Sequence, residues 1–123
     1  MKKLLTICLL LFASQVYAEW KFLSIHPDGA KYYYDSEKIN NQGRYVTFWM
    51  LIDFPKINEY GLLSEKHKYK VDCKKFRMKY LVIYDYSTKM GQGKPIGTPQ
   101  LPDKWIKVPK ISFIGTAMEK LCR

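Results

Sequence analysis

The sequence predicts an α+β domain: an antiparallel sheet of about five or six short strands packed with one C-terminal helix and closed by one disulfide. Three observations lead there. Period-two alternation of apolar and polar side chains recurs along most of the chain, an amphipathic helical pattern occurs once at the end, and two distant cysteines remain when a leader is set aside.

The leader comprises residues 1–18. Lys2 and Lys3 give a positive start, residues 4–12 an apolar run, and Val16, Tyr17 and Ala18 a small-residue cleavage site before Glu19. The run is too short to span a bilayer. Ile7 precedes Cys8, where a lipoprotein signal needs a small residue, so cleavage after Ala18 is expected to discard Cys8. Residues 19–123 then form a single domain.

Residues 20–25 alternate, and His26, Pro27, Asp28 and Gly29 make a turn before residues 30–34 resume extended structure, a hairpin signal. Residues 35–39 read as one helical turn, and Asn40, Asn41, Gln42 and Gly43 as a loop. Residues 44–54 are dense in β-branched and aromatic side chains up to Pro55 and are apolar on nearly both faces, the mark of a central strand. Residues 56–63 connect onward.

Two alternating strands follow. Residues 65–74 place Lys66, Lys68, Lys70, Asp72 and Lys74 on one face and His67, Tyr69, Val71 and Cys73 on the other. Residues 76–86 are expected to place Phe76, Met78, Tyr80, Val82 and Tyr84 together, opposite Arg77 and Lys79, after a turn or bulge near Lys74 and Lys75. Residues 87–104 hold three glycines and three prolines and predict a long loop, and residues 105–110 a short apolar return ending near Pro109. In residues 113–122, Phe113, Ala117 and Leu121 share a helical face with Ile114 and Met118 beside it, and Ser112 suits the N-cap.

An exported chain with Cys73 and Cys122 invites a disulfide that would staple helix to sheet, with free thiols or a metal pair as competing readings. The formal net charge of +10 falls to +8 when Lys2 and Lys3 leave. Such a balance attracts anionic surfaces such as acidic glycans or acidic proteins, and also keeps a small domain soluble.

Enzyme chemistry finds little support. The only histidines are His26 and His67, read as a turn residue and a packed strand residue, and carboxylates such as Asp35, Glu37, Asp53, Asp72 and Asp85 form no evident acid/base pair. Zinc-protease, paired-cysteine and nucleophile-elbow motifs are absent from the sequence, and Gly91-Gln92-Gly93 lacks a strand-turn-helix context. No catalytic residue, cofactor or metal site is therefore expected. The strongest binding signal is the run of seven cations Lys66, Lys68, Lys70, Lys74, Lys75, Arg77 and Lys79 within fourteen residues. Its bland alternative is an edge strand guarded by lysines against aggregation. Oligonucleotide binding through base stacking on nearby tyrosines is a further reading, which export disfavours. Tyrosine is abundant too, and alternation sends Tyr33 to the face opposite Tyr32 and Tyr34.

The order of Tyr33-Tyr34-Asp35-Ser36, the apolar strand through Trp49, Cys73 followed by Arg77, Tyr84-Asp85, Gly91-Gln92-Gly93 and the terminal Cys122 resembles the surface-adhesin protein E family of Gram-negative bacteria. The resemblance covers roughly residues 30–122. It implies an antiparallel sheet on a C-terminal helix, a Cys73–Cys122 disulfide and a tendency to dimerise. It further implies adhesion to host matrix and plasma proteins through the basic strands, here residues 66–84, and in some members haem, for which His67 or a tyrosine would be the axial ligand. The expected function is that of an exported, non-enzymatic, adhesin-like protein contacting host matrix proteins or acidic glycans through a basic, tyrosine-rich sheet face. The alternative is a periplasmic, envelope-associated housekeeping protein without a host ligand. Either places it in the periplasm or on the outer surface of a Gram-negative bacterium.

Overall fold

The computed structural model describes residues 18–122, so the leader reading lies outside the described residues except at Ala18. Among the described residues seven antiparallel strands form one sheet: β1 Trp20–Ile25, β2 Lys31–Asp35, β3 Asn40–Gln42, β4 Tyr45–Asp53, β5 Ser64–Asp72, β6 Arg77–Tyr86 and β7 Ile106–Lys107. Their order is β1-β2-β4-β5-β6-β7. β3 pairs with the start of β4 (Asn40 opposite Thr47) and β2 with its end (Tyr34 opposite Met50), so the two short strands share one edge of β4. Among the described residues there is one α-helix, α1 Phe113–Leu121, which follows β7. This is the predicted α+β fold.

Alternation decides what each face does. Val46, Phe48 and Met50 of β4, Tyr69 and Val71 of β5 and Met78 of β6 form the core with Ile114, Ala117 and Met118 of α1. Burying each of the Val, Ile, Phe and Met side chains among them stabilises by about 1.5–3 kcal/mol. Tyr32 stacks on Phe113, with ring centroids 4.3 Å apart, at the start of the helix. Ser112 caps that start, its Oγ accepting from the Gly115 amide at 3.0 Å. Gly115 itself is dictated by space, since a Cβ there would lie 2.5 Å from the Pro109 carbonyl oxygen. At the far end the Cys73–Cys122 disulfide joins the turn after β5 to the helix C-terminus.

Three local expectations are corrected. Residues 35–39 do not form a helical turn: Asp35 ends β2 and residues 36 and 37 make a turn, in which the Asp35 carboxylate accepts the Glu37 amide at 3.0 Å and fixes a non-helical bend. Residues 40–42 are a strand and not a loop, because Gly43, with φ of 84°, turns them back on β4. In β6 a bulge skips Leu81 between the Tyr69–Tyr80 and Lys68–Val82 pairs. Val82 and Tyr84 therefore join Lys68 and Lys66 on the far face, away from Met78 and Tyr80.

Candidate functional site

The sheet face opposite α1 carries the basic residues, and strand register seats them among aromatic rings. Tyr45, Thr47, Trp49 and Leu51 of β4 pair with Asp72, Lys70, Lys68 and Lys66 of β5. Lys68 Nζ lies 5.8 Å from the Trp49 ring centre and Lys70 Nζ 5.0 Å from that of Tyr45. Lys66 Nζ lies between Trp20 and Tyr86, at 5.9 and 5.2 Å. Across β6, Arg77 and Lys79 sit 4.5 and 5.0 Å from the ring of Trp105, which the long loop brings back. All three tryptophans of the chain thus lie on this face. Each cation–ring contact is worth about 0.5–1 kcal/mol when partly exposed, enough to position an ammonium without neutralising it.

One buried carboxylate organises the end of the face near the β5–β6 turn. Asp72 is fully buried. It accepts from Arg44 Nε and Nη2 at 3.0 and 2.9 Å, from Arg77 Nε at 3.0 Å, and from the Lys74 and Lys75 amides at 3.1 Å. The Arg44 hydrogen bonds, with those of the Lys75 amide and Arg77, hold its carboxyl well below the usual carboxylate range against the opposing effect of burial. Two guanidiniums are locked in place, and Lys79 pairs with Asp103 at 3.2 Å. Lys66, Lys68 and Lys70 form no ion pair among the described residues. Lys74 and Lys75 stand exposed in the turn, beside the face and not on it.

At the other end a cleft of about 200 Å³ is lined by Trp20, Trp49, Tyr84 and Tyr86 with Lys38, Lys66 and Asp35, and Ala18 lies at its rim. Trp49 and Tyr84 stack with ring centres 5.9 Å apart and planes 8° from parallel. Burial, and then the charge of Lys38, lower the Lys66 ammonium below its ordinary range, while Asp35 opposes them. The Gly91-Gln92-Gly93 segment belongs to this architecture. Gly91 donates its amide to Ser64 Oγ at 2.8 Å, and a Cβ on it would come within 2.6 Å of Lys66 Cε. The glycine has a packing role beneath the Lys66 stem.

A second polar cluster lies on the helix side of the sheet. His67 is 8% exposed, its Nδ1 2.5 Å from the Tyr69 hydroxyl and its Nε2 3.5 Å from Glu65 Oε2. The His67 contact lowers Glu65, whereas burial and the adjacent Glu65 charge raise Asp85. No group of three or more His, Cys, Asp or Glu among the described residues is placed to hold a metal ion.

Sequence reasoning expects tyrosines beside the cations but not the three tryptophans. Trp49 reads as one more apolar residue of a central strand, and Tyr84 is assigned to the wrong face by the unseen bulge. A usable signal was present, since Tyr45, Thr47 and Trp49 at spacing two must share a face with whichever of the next strand's residues they pair with. Asp72 was seen only as one acid among lysines.

No helix among the described residues is long and apolar enough to cross a membrane. The fold is similar to that of Haemophilus influenzae protein E in its crystal form II, with a TM-score of 0.69, 18% identity, and 89% of this chain and 91% of that one covered. It is similar also to protein E from non-typeable Haemophilus influenzae, with a TM-score of 0.64, 18% identity and coverage of 89% and 78%. No curated protein sequence matches it significantly. A profile of surface-adhesin protein E matches residues 20–123, and the chain belongs to the surface-adhesin protein E family.

Proposed function

We propose that this adhesin-family chain is an exported, non-enzymatic binding protein whose basic aromatic face holds an acidic macromolecule, either an acidic glycan or an acidic segment of a host matrix protein. The observation that carries this is the state of Lys66, Lys68 and Lys70. Each is half-buried against an aromatic ring, on the face the helix leaves open, and none has an ion-pair partner among the described residues. Cations held for aggregation resistance alone would serve as well in water, at the outer edge of a sheet. Here they stand on a central strand, since β5 is flanked by β4 and β6. Rings alternating with cations suit a ligand that is itself alternately flat and charged, and this favours the glycan.

Retention of the exported protein on an immobilised uronate-rich polysaccharide at physiological salt tests the reading. Reversing Lys66, Lys68 and Lys70 to glutamate should abolish retention without moving the unfolding midpoint by more than a few degrees. Undiminished retention would refute the role of the face. Protease treatment of intact cells addresses its position: cleavage supports display toward a host, and protection supports the periplasmic alternative.

A further inference from the structure

We propose that the cleft walled by Trp20, Trp49, Tyr84 and Tyr86 is a subsite for a single carboxylated sugar ring, which rests on the glycan reading of the face and names the part of it that recognises one unit. The volume of about 200 Å³, which loss of Ala18 would widen at one side, accommodates one six-membered ring and its substituents and not a folded peptide segment. The stacked Trp49–Tyr84 pair presents flat apolar area to a sugar's C–H face. Lys66 is the half-buried cation in the cleft's lining. It is half-buried, brought close to a like charge on Lys38, and left without an ion pair, so an arriving carboxylate relieves an unfavourable arrangement that the fold itself imposes. Asp35, the one carboxylate lining the cleft, is 1% exposed, and its Oδ1 is turned to the Glu19 and Glu37 amides at 3.2 and 3.0 Å. Its buried position and these two amides temper its repulsion of an incoming carboxylate.

Titration with a glucuronate-containing tetrasaccharide, followed by tryptophan fluorescence, tests the subsite. Saturable quenching is expected, weakened about tenfold or more in Lys66→Gln and in Trp49→Ala and restored in Lys66→Arg. The carboxyl-reduced tetrasaccharide should bind at least about tenfold more weakly than the acid. Equal affinity for the two sugars, or unchanged affinity in Lys66→Gln, would overturn the subsite. The face as a whole is judged separately, by whether Lys68→Glu with Lys70→Glu abolishes polysaccharide retention, since neither residue lines the cleft.

A different observation carries a second proposal, that removal of the leader completes the fold by placing a charged amino terminus on Asp35. The Glu19 nitrogen already lies 3.2 Å from Asp35 Oδ1, and the Glu19 carbonyl accepts the Ser36 amide at 3.0 Å, so the residue is held on both sides. Hydrolysis of the Ala18–Glu19 bond by a signal peptidase adds the water hydroxyl to the Ala18 carbonyl carbon and a hydrogen to the Glu19 nitrogen. That nitrogen then takes a further proton from solvent and becomes an ammonium facing a buried carboxylate. The test compares the chain beginning at Glu19 with its Nα-acetyl form, which keeps an N–H donor but no charge. The free amine should unfold several degrees higher at pH 7, an advantage that fades as alkali deprotonates it and disappears in Asp35→Asn. Equal midpoints, or an exported protein whose first residue by mass is not Glu19, would overturn it.

Discussion

Replacing both Cys73 and Cys122 with alanine is expected to be the most damaging change that leaves the sheet face untouched. The bond spans 49 positions, and closing a loop of that length removes about 4 kcal/mol of chain entropy from the unfolded state. For a domain of roughly 100 residues, each kcal/mol moves the midpoint about 4–8 °C, so the loss is roughly 15–30 °C. The position of the bond adds a local consequence. α1 has nine residues, too few to persist unaided, and its last turn is fastened to the sheet by the disulfide and by a long Asn41 Nδ2 to Leu121 carbonyl hydrogen bond of 3.4 Å. Thermal unfolding by circular dichroism, with and without reductant, measures the effect, and the double variant without reductant should match the reduced wild type. A shift of less than about 5 °C on complete reduction would refute the loop-closure reasoning, because it would correspond to only about 1 kcal/mol.

Asp72→Ala leaves two guanidiniums without their carboxylate and two turn amides without an acceptor, and should cost on the order of 2–4 kcal/mol by denaturant unfolding, with the arginines' access to water limiting the loss. Because hydrogen bonding holds the Asp72 carboxyl below its unfolded value, its contribution is complete above the unfolded carboxylate range near pH 4 and fades as pH falls further, so the wild type should lose its advantage over Asp72→Ala in acid. Asp85 has the opposite sign: the fold raises its pKa, its charged form is a liability at neutral pH, and Asp85→Asn should be as stable as the wild type or more so at pH 7, the difference closing as acid protonates Asp85. Gly115→Ala drives a methyl into the Pro109 and Lys110 carbonyl oxygens, 2.5 and 2.6 Å from its Cβ, and should lower the thermal midpoint by at least several degrees.

Much of the fold could be read from residue order because alternation and helical spacing are local properties. Lys66, Lys68 and Lys70 had to share a face, and Phe113, Ala117 and Leu121 had to line one side of a helix, whatever surrounded them. The features that escaped depend on partners. The Leu81 bulge exists only relative to β5, and no local composition announces it, yet it moves Val82 and Tyr84 across the sheet. β3 is a strand only because Gly43 folds it against β4, since Asn40, Asn41 and Gln42 have no strand preference of their own. The cleft joins residues from β1, β2, the following turn, β4, β5 and β6, and its Trp20 and Trp49 are 29 positions apart. Asp72 becomes a hub only when Arg44 is brought to it from 28 positions away.

The one-sided placement of α1 separates what natural selection can change from what it must keep. Odd-numbered positions of β4 up to Trp49 and the lysine positions of β5 face away from the helix, so they can be exchanged without disturbing the packing that α1 completes. Protein E of Haemophilus influenzae shares the fold over about nine-tenths of both chains at 18% identity. The fold can therefore persist while most of the side chains outside that packing change. A comparison meant to trace binding specificity should align the outward-facing positions alone.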